Sequence, residues 1–110
     1  MPLQRMLAHE KGFVLQHAGS IPEASEIYVY KLGKAIVGYV VVSLDVQTTI
    51  HQIESFSNDT RLLQAILREI IELARLHGAK NVTANPQHDA AVYFAVGFER
   101  EDSSLVLHLA

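Results

Sequence analysis

Arg61-Leu62-Leu63-Gln64-Ala65-Ile66-Leu67-Arg68-Glu69-Ile70-Ile71-Glu72-Leu73-Ala74-Arg75-Leu76-His77 is the stretch on which the fold turns. Leu62, Leu63, Ile66, Leu67, Ile70, Ile71 and Ala74 recur at steps of three and four, while Arg61, Gln64, Arg68, Glu72 and Arg75 form the opposite stripe. That period belongs to an amphipathic helix with one broad apolar face. Asn58, Asp59 and Thr60 are all N-cap residue types. Gly78 is placed to end the helix, and Arg75 and His77 suit the negative end of its dipole.

A helix with one apolar face needs a sheet or another helix to cover it. The flanking residues supply strands. Thr48–Phe56 precedes the helix and Asn81–Ala84 follows it, so the order strand–helix–strand implies a parallel pair with a right-handed crossover. Upstream, Ile27–Leu32 and Ala35–Val46 are rich in Val, Ile and Tyr and are joined by Leu32-Gly33-Lys34, which reads as a hairpin. Gly38 lies inside the second of these strands, where glycine belongs only at a bulge or a close backbone approach. Downstream, Gln87–Val96 has helical spacing up to Gly97, and Leu105, Leu107 and Leu109 alternate through a closing strand at Ser104–Leu109. Leu3–Lys11 is read as a helix on the spacing of Leu3, Met6 and Leu7. The expected fold is therefore α/β (α+β), a mixed sheet with helices packed on it, in a single domain over residues 1–110.

Composition narrows the function. With 49% apolar and 19% charged residues the chain is globular rather than disordered. No apolar run is free of charges or turn signals over a membrane's thickness, and the first residues lack the apolar centre of a secretory leader, so a cytoplasmic location is expected. The net charge is −3 and the basic residues are scattered, which argues against a nucleic-acid partner. There is no Cys, and the six His show no ligand spacing, so no metal site is expected. No Gly-x-Ser-x-Gly turn supports serine-nucleophile chemistry.

One segment is more specific. Asn85-Pro86-Gln87-His88-Asp89-Ala90-Ala91-Val92-Tyr93-Phe94-Ala95-Val96-Gly97-Phe98-Glu99 resembles the late segment of the GNAT superfamily of N-acetyltransferases, an Asn after the fifth strand and a short helix ending Tyr-x-x-x-Gly-Phe. Ile66–Lys80 is similar to the end of that family's central helix, and Ile36-Val37-Gly38-Tyr39-Val40 to its third strand. The likeness runs from about Glu26 to the C-terminus. It implies a mostly antiparallel sheet with one splayed parallel pair, and transfer of an acetyl group from acetyl-CoA to an amine of a small molecule or peptide.

The resemblance also assigns residues. Tyr93 would protonate the leaving thiolate: a neutral phenol, with a pKa of about 10, holds the proton it must give. Taken alone, Tyr93 equally suits a core ring with its hydroxyl at the rim. The pantetheine arm would pair with backbone at Ile53, Ser55 and Phe56, an interaction that needs main-chain groups only. The diphosphate would sit at the start of the central helix, over Asn58, Asp59, Thr60, Arg61, Leu62 and Leu63, because a helix N-terminus favours anions. Asn85 would hold the cofactor arm or simply begin a turn. On the fourth strand His51 and Glu54 are the candidate bases for the amine; plain alternation puts them on opposite faces, and imidazole, the His51 side chain, is the commonest general base.

The chain departs from the pattern in its loop. The family's (Gln or Arg)-x-x-Gly-x-(Gly or Ala) aligns with Asn58-Asp59-Thr60-Arg61-Leu62-Leu63, so Arg61 and Leu63 replace the small residues. Two readings remain open at this point: an N-acetyltransferase, or a catalytically silent module on the same fold that has lost normal CoA binding and recognises a protein partner or forms a homo-oligomer.

Overall fold

The computed structural model describes all residues except 1, 58, 87 and 110. Seven strands form one sheet in the order β1-β2-β3-β4-β5-β7-β6: β1 Leu3–Arg5, β2 Glu26–Leu32, β3 Ala35–Ser43, β4 Gln47–Ser55, β5 Asn81–Ala84, β6 Glu99–Glu101 and β7 Ser104–His108. All neighbours are antiparallel except β4 and β5, which run parallel. Three α-helices accompany the sheet: α1 Lys11–Ala18, α2 Thr60–Leu76 and α3 Ala90–Ala95. Among the described residues no helix is long and apolar enough to cross a membrane.

The central helix stands where its periodicity puts it. Ile66, Leu67, Ile70 and Ala74 of α2 are buried against Val40, Val42, Ile50 and Val82 of the sheet, with Tyr93 and Phe98 completing this larger core. The Asp59 side chain accepts the Arg61 N–H at 2.9 Å and caps the first turn. At the other end Gly78 adopts φ 82° while Ala79 N donates to Ala74 O and Gly78 N to Arg75 O, the paired bonds of a Schellman stop.

Gly38 answers to both reasons for a glycine in a strand. The β2–β3 register shifts next to it, between Tyr30 and Lys31. A Cβ on Gly38 would lie 2.5 Å from Ile66 Cδ1 and 2.6 Å from the Glu54 carbonyl oxygen, so the glycine lets α2 press onto the sheet.

Among the described residues, α1 is the helix that covers the other face of the sheet. Val14 and Ala18 pack on Val29, Tyr39 and Val41, with Phe56 partly buried beside them. Here the structure corrects the sequence reading. Leu3–Lys11 is not a helix: Leu3–Arg5 pairs with Tyr28–Tyr30 as an edge strand, Ala8–Glu10 makes one 3-10 turn, and the helix follows at Lys11–Ala18. The spacing of Leu3, Met6 and Leu7 is too short to separate a helical face from a strand and a turn. Glu10, buried, ties this segment down through an ion pair with Lys31 and by accepting the Leu7 N–H at 2.8 Å. The Lys31 bond and the Leu7 N–H hold its carboxyl below the usual range.

Three further boundaries move. β3 ends at Ser43 rather than Val46. The last helix begins at Ala90, after Asp89 in the left-handed region at φ 60°, and not at residue 87, which lies outside the described residues. Glu99–Glu101, exposed and charged, forms an edge strand that has no apolar signal to announce it.

Candidate functional site

β4 and β5 part company halfway along β4. Their parallel pairs run from Gln47–Asn81 to Ile50–Ala84 and stop there. β5 ends at Ala84, just before Asn85-Pro86, and proline has no N–H with which to extend a ladder. β4 continues to Ser55, held on its other side by β3 through Gly38–Ser55. The edge of β4 from His51 to Ser55 that faces away from β3 therefore borders a cleft instead of a strand.

A bulge sits at the same place. Val41 pairs with Gln52 and Val42 with Ile50, so His51 is the extra residue in β4. A bulge bends its strand and raises its twist, which helps β4 diverge. It also reverses the side-chain parity beyond it. Ile50 and Ile53 both belong to the α2 side, three residues apart. The expectation that His51 and Glu54 face opposite ways is thereby corrected. His51 Nε2 lies 2.8 Å from Ser43 Oγ, and Glu54 Oε2 accepts a 2.9 Å bond from the Tyr39 hydroxyl. Ser43 and Tyr39 are four residues apart on β3, so both β4 side chains sit on the face that carries α1.

The cleft measures about 930 Å³ and passes between the diverging strands. It brings together His51, Ile53, Ser55, Asp59, Thr60, Leu63, Asn85 and Tyr93 from the residues singled out in the sequence. Phe56, Arg61 and Leu62 are not among its walls. Phe56 turns to the α1 side, its ring 4.5 Å from that of His17 and 5.8 Å from that of Tyr39. Leu62 packs on the main core. The Arg61 side chain is 91% exposed, with Nε 3.7 Å from Asp59 Oδ1, and so does not plug the entrance. Leu63 reaches the wall from the core and is buried. Asn58 lies outside the described residues.

Tyr93 comes from α3 and is 3% exposed, yet it lines the cleft. Its ring meets Phe98 edge-on at 5.3 Å, which fixes its direction. Burial, and then the Asp89 carboxylate, raise its pKa well above the ordinary tyrosine value, so the phenol is neutral throughout the physiological range. Tyr39, on the α1 side, is raised too, by burial and by its bond to Glu54.

Sequence reasoning missed His17, His88 and Asp89 as cleft residues. Asn85 and Tyr93 bracket the last two, and a strand end followed by Pro86 was the available signal. His17 had none, because its place depends on how α1 crosses the sheet. Among the described residues no group of His, Asp and Glu has the geometry to hold a metal ion.

No protein-family profile matches the chain, and no curated protein sequence does. Solved structures do. A probable acetyltransferase from Staphylococcus epidermidis superposes with a TM-score of 0.81 at 8% identity, covering 98% of both chains. An IAA acetyltransferase from Bacillus cereus gives 0.77 at 17% identity, over 97% of this chain and 98% of that one. A GNAT family acetyltransferase from Elizabethkingia anophelis, with acetyl-CoA bound, gives 0.71 at 16% identity over 97% of each. These matches reach residues before Glu26, where the sequence offered no likeness. With one parallel pair in an otherwise antiparallel sheet and a central helix leading from one of those strands to the other, the chain has the GNAT acetyltransferase fold.

Proposed function

We propose that the chain is an N-acetyltransferase that binds acetyl-CoA in the cleft between β4 and β5 and passes the acetyl group to an amine. The observation that carries this reading is the parting of β4 and β5 at Ile50 and Ala84, which leaves main-chain groups of β4 facing a cleft that Tyr93 also lines. Strand-like addition of the pantetheine amides to residues Ile53 and Ser55 suits that edge. The bound acetyl-CoA of the Elizabethkingia anophelis structure supports the same donor here.

The transfer is direct. The amine nitrogen, having lost a proton, attacks the thioester carbonyl; the C–N bond forms, the C–S bond breaks, the departing sulfur takes a proton from Tyr93, and the nitrogen's surplus proton returns to the phenolate as the amide forms. On the α1 face His51 is the base that receives the amine's proton, directly or through water, and Glu54 beside it is available to orient an ammonium group. Asn85 holds the arm where β5 ends.

The test is titration calorimetry with acetyl-CoA, followed by acetylation of a broad amine panel. Binding, together with turnover that Tyr93→Phe removes, is expected. A second reading, a silent module on this fold with a protein partner, is favoured by one feature: the Asp59 carboxylate already occupies the Arg61 N–H. No acetyl-CoA binding up to millimolar concentration would sink the transferase and leave that module.

A further inference from the structure

The charges around the cleft are unusual for a nucleotide thioester. CoA ends in a diphosphate and a ribose phosphate, so it brings roughly four negative charges at neutral pH. Among the described residues lining the cleft there is no Lys and no Arg, whereas Glu54, Asp59 and Asp89 are carboxylates. At the helix start the anion position is already taken. Asp59 Oδ1 accepts the Arg61 N–H at 2.9 Å, and the Leu62 and Leu63 N–H groups both turn to the Asp59 carbonyl. Arg61, the cation beside it, is directed into solvent with its nearest contact to that same Asp59. A diphosphate placed there would meet a carboxylate of its own sign and would have to displace it.

The other end of the donor meets no such obstacle. The acyl-pantetheine arm is neutral and carries two amides, which would meet the open edge of β4 beyond Ile50. We infer that the cleft selects its donor by the neutral acyl-pantetheine arm, so that an acyl-pantetheine thioester without a nucleotide serves as well as the CoA thioester, and that Asp59 is the residue that sets this preference. The inference rests on the transferase reading and concerns which part of the donor is recognised. The chemistry is unchanged: the amine–acyl C–N bond replaces the thioester C–S bond, and the sulfur leaves protonated as free pantetheine thiol.

The experiment compares acetyl-CoA with S-acetylpantetheine by calorimetry at low and at moderate salt, for the wild-type chain and for Asp59→Asn and Asp59→Gly. Asn keeps a cap and so protects the fold; Gly also removes the side chain. Dissociation constants for the two donors within about threefold of each other are expected in the wild type. Both variants are expected to tighten acetyl-CoA by about tenfold and to leave S-acetylpantetheine unchanged. Acetyl-CoA binding thirtyfold or more tighter than S-acetylpantetheine in the wild type would overturn the inference. So would variants that change both donors alike. Failure of acetyl-CoA to bind up to millimolar concentration would instead remove the transferase reading on which the inference stands.

Discussion

The two faces of the sheet are finished differently. On one, α2 lays Ile66, Leu67, Ile70 and Ala74 across the strands, and Tyr93 and Phe98 close the end. On the other, the short helix α1 covers Val29, Tyr39 and Val41 with Val14 and Ala18, Met6, Ile21 and Phe56 are only partly buried beside them, and Phe13 is left 43% exposed. The closed face holds the fold together, and the open one presents His17, His51 and Glu54 to the cleft. Most of the large apolar core thus lies on one side of the sheet and part of the cleft's polar wall on the other, and past its bulge β4 turns Ile53 to the first and Glu54 to the second.

Substitutions on each side can break or sharpen that division. Gly38→Val tests the closed face most severely, since its Cβ meets the Glu54 carbonyl oxygen as well as Ile66. A loss of about 3 kcal/mol in chemical denaturation is expected, near the upper end for overpacking; a loss under about 1 kcal/mol would show that α2 is not tightly seated there. Next comes Tyr93→Phe, which keeps the ring against Phe98 and deletes only the hydroxyl. Turnover with acetyl-CoA should fall about 100-fold, equivalent to about 2.7 kcal/mol of barrier, with an unchanged thermal midpoint. An equal fall in stability would make the hydroxyl structural.

Glu10→Gln probes how the open side is anchored. Glu10 has its folded pKa lowered, so its contribution is present above the unfolded pKa and is lost as pH falls through the folded one. The variant should be less stable by about 2 kcal/mol at pH 7, and the gap should close as pH drops below the ordinary glutamate range near 4.3. A gap that does not vary with pH would assign the effect to packing. The smallest change is Gly12→Ala in α1. A Cβ at Gly12 meets no atom within 4 Å, so the gain should be helix propensity alone, about 0.5 kcal/mol. Destabilisation instead would mean that α1 lies closer to the sheet than described.

What the sequence disclosed follows the same division. The periodicity of Arg61–His77 places α2 almost to the residue, as Thr60–Leu76, because one long apolar stripe against one sheet is a local signal. The strands β2, β4 and β5 were also placed to within one residue at each end. The α1 side was not. Leu3–Arg5 is a strand only because Tyr28–Tyr30 lies alongside it, and Glu99–Glu101 only because β7 does. The candidate site was half legible: Tyr93, Asn85 and Asp59 were singled out through the family resemblance and His51 by its imidazole on the fourth strand, and all line the cleft. The relative direction of His51 and Glu54 was beyond reach, since a bulge is defined by its pairing partners on the neighbouring strand, here Val41 and Val42.

That extra residue at position 51 has an evolutionary consequence. Exchanging one side chain for another between 51 and 55 alters a single surface, but adding or removing a residue there would swap inner and outer positions for everything up to Ser55. The length of this short segment is therefore far less free to drift than its composition, and in descendants of this chain the count of residues between Ile50 and Phe56 should outlast their identities.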